Sequence, residues 1–274
     1  MEQSEAKLLE SIRLHLMKSR GLDVSGYSST FVLRSVRKRL GRSGAKDLPD
    51  YVRLLLSSEE ETTDFVSALS INVTDFFRDE GAFEALSGKV IRPVIRSKVG
   101  AGGIVRIWSA GCATGQELYT IAICLDQELR RAGSNENIIG TVTGGDLSKT
   151  ALAFARKGVY SKEQVKNVPL HILTEYFVEK DGMYEVAEVL RRRVRFVNEN
   201  LLDEPRSRFF DVVVCRNVLI YFSRPMHDQV VMNLHRSLRP NGYLMLGRTE
   251  SLVGTPRFHY ELLDAENRIF KRKE

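Results

Sequence analysis

The sequence is poor in the residues that build covalent or metal-bound scaffolds. Cysteine occurs three times in 274 residues, at Cys112, Cys124 and Cys215, with neither a C-x-x-C pair nor a Cys/His spacing that would ligate a metal. A disulfide framework is excluded, no metal site is expected, and the thiols are expected to be small buried core groups. Of the five histidines only His227 and His235 share a predicted helix, eight residues apart. No apolar run approaches the roughly 20 residues that span a bilayer. The start, Met1-Glu-Gln-Ser-Glu-Ala-Lys7, lacks the basic and then apolar pattern of a secretion signal. A cytoplasmic chain without a transmembrane segment is the expectation.

Acidic residues are in short supply: 35 against 41 lysines and arginines, a formal charge of +6. The deficit is local. Between Tyr27 and Lys46 lie Arg34, Arg37, Lys38, Arg39, Arg42 and Lys46, with no acid among them. Arg34, Arg37 and Lys38 fall at i, i+3 and i+4, so a helix shows them on one face. Such a face is either simply solvated or docks an acidic helix or a nucleic acid, and the missing glutamates favour docking.

Periodicity divides the chain. Leu8, Leu9, Ile12 and Leu16, then Phe31, Val32, Val36 and Leu40, then Tyr51, Leu54 and Leu55 recur at helical spacing, separated by residues 21–29 and 41–49. This predicts an all-helical domain over residues 1–78. A further helix over 80–97, interrupted near Pro93, leads into a second domain, 79–274. There the order alternates: strand 105–109, helix 115–131, strand 138–146, helix 148–157, strands 194–198 and 211–215, helix 225–238, strand 243–247 and a last strand near 268–271. Alternation implies an α/β domain with a mostly parallel sheet covered on both faces, whose ligands bind at the strands' carboxyl ends. Between about 160 and 195 the pattern breaks into short segments, 176–179, 183–186 and 193–197, with a turn at 180–182, which predicts a small antiparallel insertion.

Val105-Arg-Ile-Trp-Ser-Ala-Gly-Cys-Ala-Thr-Gly-Gln-Glu117 reads as a buried strand turning through glycines into a helix. A dinucleotide fold wants G-x-G-x-x-G there and an acid about 20 residues on. This chain has Gly111-x-x-x-Gly115, and its next strand-end acid, Asp146, comes 35 residues after Gly111. Without a pyrophosphate to cradle, the loop suits a nucleoside such as S-adenosylmethionine. Asp146 can accept from two ribose hydroxyls, or else cap the following helix. Glu117, in the first helical turn, can meet a ligand ammonium or merely favour the helix start. Asn200-Leu201 and Asn217-Val218 follow the third and fourth strands. Asn200 reads equally as a turn residue, whereas Asn217 sits among apolar neighbours and needs a partner. Asn217-Val-Leu-Ile-Tyr221 stands where amino-group methyltransferases of nucleic acids carry Asn/Asp-Pro-Pro-aromatic, and its lack of prolines argues against methylation of an exocyclic amine.

Taken together, Asn72-x-Thr74-x-Phe-Phe-Arg78, Trp108-Ser-Ala-Gly-Cys-Ala-Thr-Gly-Gln-Glu117, Asp146, Cys215-Arg-Asn-Val-Leu-Ile-Tyr-Phe222 and Gly247-x-x-Glu-Ser251 resemble the CheR chemotaxis receptor glutamate methyltransferases from the helical domain to the C-terminus. The resemblance implies a Rossmann-like S-adenosylmethionine-dependent methyltransferase domain after the helical one. It also implies a protein-glutamate O-methyltransferase that esterifies the cytoplasmic methylation helices of membrane chemoreceptors and releases S-adenosyl-L-homocysteine. The implied cofactor contacts are Asn72, Thr74, Arg78, Glu117, Asp146, Asn200, Leu201, Asn217 and Val218. Arg78 and Tyr221 are expected to shape the methyl-transfer pocket, and Arg34, Arg37 and Lys38 to dock substrate. An arginine before the glycine strand influences the reaction in the family; Arg92, Arg96 and Lys98 compete for that place. The insertion corresponds to a β-subdomain that in some members captures a receptor's C-terminal pentapeptide. Its turn here, Glu179-Lys-Asp-Gly-Met183, is short compared with those members, which counts against capture. A monomer that binds no nucleic acid is expected. The competing readings are an S-adenosylmethionine-dependent methyltransferase acting on nucleic acid or a small molecule, and a regulatory module that has lost its cofactor.

Overall fold

In the computed structural model, residues 2–20, 22, 24–69, 74–133 and 137–274 are described. They fall into two compact units, Met1–Ile71 with Ile220–Gln229, and Asn72–Leu219 with Val230–Glu274. The expected boundary at 78 is thus corrected. Residues 74–78 belong with the sheet, because Phe76 is fully buried with its ring edge-on to Tyr160 and Phe177. Residues 220–229, expected in the second domain, join the first.

The helical unit contains α1 (Glu2–Arg20), α2 (Ser29–Ser43), α3 (Leu48–Ser57) and α4 (Glu59–Leu69). Local chemistry sets the ends. Ser28 caps α2 by accepting from the Phe31 N–H, and Gly44 ends it in the left-handed region. Asp47 caps α3, with Pro49 in the first turn, where its missing N–H costs nothing. Leu9, Ile12, Leu16, Val32, Val36, Tyr51, Leu55 and Phe65 form the buried interior. The acids absent from the basic run arrive from other helices. Arg39 is held by Glu61 at 2.8 and 2.6 Å and by Asp64 at 2.8 Å, and the Tyr51 hydroxyl donates to the same Glu61 at 2.8 Å. The guanidinium holds the Glu61 carboxyl below its ordinary range. Arg37 pairs with Glu5 at 3.3 Å, while Arg34 and Lys38 stay exposed.

In the second unit, α5 (Glu80–Ala85) continues through a π-helical stretch, Leu86–Ile91, into α6 (Arg92–Arg96). Then follow β1 (Gly103–Ala110), α7 (Gln116–Ala132), β2 (Ile138–Asp146), α8 (Lys149–Lys157), β3 (Val159–Ser161), α9 (Lys162–Val165), α10 (Leu170–Tyr176), β4 (Phe177–Lys180), β5 (Met183–Val186), α11 (Glu188–Arg191), β6 (Val194–Asn198), β7 (Phe210–Cys215), α12 (Arg224–Ser237), β8 (Leu238–Leu246), β9 (Tyr260–Asp264) and β10 (Ile269–Arg272). The boundary between the units passes through α12.

The main sheet runs β6-β2-β1-β7-β8-β10-β9; β6 through β8 are parallel, and β10 and β9 are antiparallel. The chain moves outward from β1 to β2 and β6, then returns to β7 on the other side. The topological switch therefore lies beside β1. The expected parallel sheet is present, with β9 as a strand that the alternation did not predict. The insertion is a three-stranded antiparallel sheet, β3-β5-β4. Its third strand is 159–161, and the segment near 193–197 expected there pairs in parallel with β2 instead. All three cysteines are free and buried, and burial pushes the Cys124 thiol up to about 11.

Replacing Arg39 by leucine would strand the Glu61 carboxylate, which is 8% exposed. We expect urea unfolding to show the helical unit weakened by about 3 kcal/mol. Arg34→Leu, on the exposed face, should change stability by less than about 0.5 kcal/mol.

Candidate functional site

The carboxyl ends of β2, β1 and β7 lie side by side, and the expected cofactor residues of the second unit gather there. After β1 the chain turns immediately. The Gly111 and Cys112 N–H groups both donate to the Gly145 carbonyl, at 2.8 and 2.9 Å, locking the glycine loop to β2. Gly111 (φ 82°) and Gly115 (φ 94°) are left-handed, and packing also demands them. A Cβ on Gly111 would come within 2.6 Å of the Val218 side chain, and one on Gly115 within 2.8 Å of Ala155. These glycines serve close packing around the loop, a role the spacing alone does not reveal.

Four other residues around this edge adopt left-handed backbone: Phe77 (φ 53°), Asp79 (φ 60°), Ala113 (φ 48°) and Asn217 (φ 59°). Such conformations cost roughly 1–3 kcal/mol each for a residue with a side chain and persist only where surroundings enforce them. Here each is tied by a side-chain hydrogen bond. Phe77 N–H donates to Thr120 Oγ1 at 3.2 Å, and Ala113 N–H to Asp146 Oδ2 at 2.8 Å. Arg216 Nη2 donates to Asp79 Oδ2 at 2.6 Å, and Asn217 N–H to Glu250 Oε2 at 2.9 Å.

Asp146 is half-buried, and desolvation raises its pKa. Its Oδ1 accepts from the Ser148 N–H at 2.8 Å, whereas the N-cap of α8 is Ser148 itself. Both Asp146 oxygens take backbone donors, and a carboxylate oxygen has the acceptor capacity for a hydroxyl besides. Glu117, 9% exposed, accepts from Ser109 Oγ at 2.9 Å and lies 3.8 Å from Arg216 Nη1. Burial raises its pKa, partly offset by Arg216, so a ligand ammonium would stabilise its ionised form. Arg216 is buried at the centre: it donates to the Arg78 carbonyl at 3.1 Å and lies over the Phe83 ring.

Beside β2, Asn198 donates to the Asp146 and Leu147 carbonyls, bringing the turn after β6 to the same edge. Asn200 Oδ1 accepts from the Leu202 N–H at 3.1 Å, the turn role weighed above, and the Leu201 carbonyl accepts from Asn233. Glu199, adjoining Asp146 in this turn, takes a hydrogen bond from the Trp108 side chain, and among the described residues its buried Oε1 has no partner. Thr74 is half-buried, shortly before Phe77, and Asn72 lies outside the described residues. Tyr221 belongs to the helical unit: its ring packs on Phe31 at 4.7 Å and its carbonyl accepts from the Ser28 N–H.

The candidates for the reaction-influencing arginine are placed away from this edge. Lys98 is 3.2 Å from Asp211 at the opposite, amino-terminal end of β7. Arg92 pairs at 2.8 Å with Glu128, which lies twelve residues along α7 from its start, about 18 Å by helical rise. Arg96 lines the same cavity as Arg92.

Sequence reasoning gave no roles to Arg216, Glu250 and Glu199. Arg216 carried a signal, since a charge directly after the apolar run Val212-Val-Val-Cys must be paired if buried. Glu250 and Glu199 carried none, because their partners are groups distant in sequence.

A Rossmann-like sheet with a strand-end carboxylate, a glycine loop without a phosphate cradle and a buried acid for an ammonium defines an S-adenosylmethionine-dependent methyltransferase. The donor set fits that cofactor: hydroxyl acceptors at Asp146, an orphaned acceptor at Glu199 and an anion at Glu117. The CheR methyltransferase family descriptions match nearly the whole chain, the all-alpha domain over residues 7–70 and the SAM binding domain over 72–268. This chain belongs to the CheR methyltransferase family, and its cofactor is S-adenosylmethionine. It is 34% identical to the chemotaxis protein methyltransferase Cher2 of Pseudomonas putida, over 93% of each chain. It is 32% identical to chemotaxis protein methyltransferase 1 of Pseudomonas aeruginosa, over 96% of each. A 104.1 kDa protein of Rhodobacter capsulatus is 31% identical over 89% of this chain, which spans 25% of that relative's length.

Asp146→Ala should weaken S-adenosylmethionine binding by about 2 kcal/mol, roughly 30-fold, in titration calorimetry. Unchanged affinity would remove Asp146 from the site.

Proposed function

We propose that the chain transfers the methyl group of S-adenosylmethionine to glutamate side-chain carboxylates on the methylation helices of membrane chemoreceptors, forming methyl esters in sensory adaptation. The observation that carries this reading is one chain holding both a nucleoside edge free of any phosphate cradle and an exposed, acid-poor basic helix face. The names of the relatives, chemotaxis protein methyltransferases, support it. Among the described residues no helix is long and apolar enough to cross a membrane.

When bound, the cofactor supplies an electrophilic methyl on a sulfonium. Asp146 holds the ribose hydroxyls, Glu117 the ammonium, and Asn200, Leu201, Asn217, Val218, Thr74 and Arg78 complete the grip. A glutamate side chain, with an ordinary pKa near 4.3, is ionised at neutral pH, so these residues need no general base among them. Their task is to orient the partners and exclude water while opposite charges neutralise, which can gain roughly 7–11 kcal/mol from fixed geometry.

Recruitment falls to α2. Arg34 and Lys38 have no acid partner among the described residues, and Arg37 shares its charge with Glu5. Reversing Arg34 and Lys38 to glutamate should slow receptor methylation roughly tenfold at low salt and far less near 0.5 M, where the Debye length falls to about 4 Å. Equal rates at both salts would remove this face from recruitment.

The activity itself is tested with tritiated cofactor and receptor-bearing membranes. Label released as methanol in alkali identifies a carboxyl ester. Alkali-stable label, or label on RNA, DNA or a small molecule, would replace the receptor reading with another substrate class.

A further inference from the structure

Gly247-x-x-Glu-Ser251 is a motif to which the cofactor site assigns no contact. Its Glu250 is 3% exposed, yet four backbone N–H groups converge on its carboxylate. Gly247 and Asn217 donate to Oε2 at 2.7 and 2.9 Å; Val218 and Leu219 donate to Oε1 at 2.9 and 2.8 Å. Charge-assisted bonds of this kind are the strong ones, and successive N–H groups make a concave nest for an anion. In this case the anion belongs to the chain.

What the nest does is set the turn after β7. Asn217 holds a left-handed backbone that its side chain disfavours, and its own N–H is one of the four donors. Val218, next along, lies against Gly111 so tightly that no side chain fits there. Glu250 thereby fixes two residues of the expected cofactor grip and, through Val218, the wall of the glycine loop. Gly247 is part of the device. A Cβ on it would come within 2.7 Å of Glu250 Oε2 and 2.9 Å of the Asn217 nitrogen, so the carboxylate reaches the turn only past a glycine.

We propose that Glu250 is a positioning residue of the cofactor site, acting through the backbone it holds. It presets the strained turn so that Asn217 and Val218 meet the ligand without reorganising, and binding does not have to supply that ordering. This rests on the cofactor reading of Asn217 and Val218.

Glu250→Gln keeps the size but turns an amide N–H₂ towards two backbone donors. The test titrates S-adenosylhomocysteine calorimetrically into the full-length wild type and variant, follows hydrogen exchange of a peptide covering 212–222, and checks folding by circular dichroism. We expect Kd to rise at least roughly tenfold, KM for S-adenosylmethionine to rise with it, and kcat at saturation to stay within about threefold. Exchange at 217–219 should quicken while the rest of the sheet remains protected, and Glu250→Ala should be worse than Gln. A folded variant with Kd within twofold of wild type, or unchanged exchange at the turn, would overturn the proposal. Should Glu250→Gln not fold, Gly247→Ala, which displaces the carboxylate from its other side, decides by the same two readouts. A wild type that fails to bind S-adenosylhomocysteine would instead bring down the cofactor reading, and the exchange data would still report whether Glu250 holds the turn.

Discussion

The carboxyl edge of the sheet holds a conformation that its backbone would not choose alone, and buried carboxylates receiving backbone N–H groups are what keep it there. Asp146 takes donors from the glycine loop and from the start of α8; Glu250 takes four from the turn after β7 and from the end of β8. In water these groups would be solvated separately, and the left-handed residues would relax. Inside the low-dielectric edge, each carboxylate without its amides, or each amide without its carboxylate, would carry a full desolvation cost. The two halves of the arrangement therefore enforce each other.

The same logic places the cofactor's charges. Glu117 is buried beside Arg216, whose other contacts reach Asp79 and the Arg78 carbonyl. Arg216 thus joins the segment entering the sheet unit to the helix that follows the glycine loop. On the proposed reading, a cationic ligand group would sit near Glu117, where burial otherwise disfavours the ionised carboxylate. Preorganisation of this kind lets a methyltransferase with an already ionised nucleophile rely on placement and exclusion of water, with no proton to move.

The basic helix shows how charge read along a chain differs from charge in space. In a run of six basic residues without an acid, Arg34, Arg37 and Lys38 read as one docking face. Folding spends Arg39 on Glu61 and Asp64 and shares Arg37 with Glu5. Those acids lie 22, 25 and 32 residues away, beyond any i, i+4 reckoning. The exposed remainder, Arg34 and Lys38, is smaller than the sequence suggests and better defined.

Much was legible beforehand where the signal was local. Helical spacing marked three of the four N-terminal helices, alternation marked the parallel strands, and Gly111, Gly115 and Asp146 marked the turns at the carboxyl ends of β1 and β2, because each of those patterns is enforced by neighbours within a turn or a strand. The family resemblance rested on motifs of the same kind. What local pattern could not decide was pairing. Val194–Asn198 reads equally as part of the insertion or of the main sheet, and it pairs in parallel with β2. Residues 220–229 leave the domain that precedes and follows them. Glu250 acquires its meaning only when β8 returns alongside β7 and brings its carboxylate to the N–H groups of Asn217, Val218 and Leu219. By itself the sequence determined which residues turn, cap and bury, since those are contests among adjacent atoms. The tertiary structure decided which buried charge meets which backbone dipole, since that contest is settled only between groups the chain separates by tens of residues.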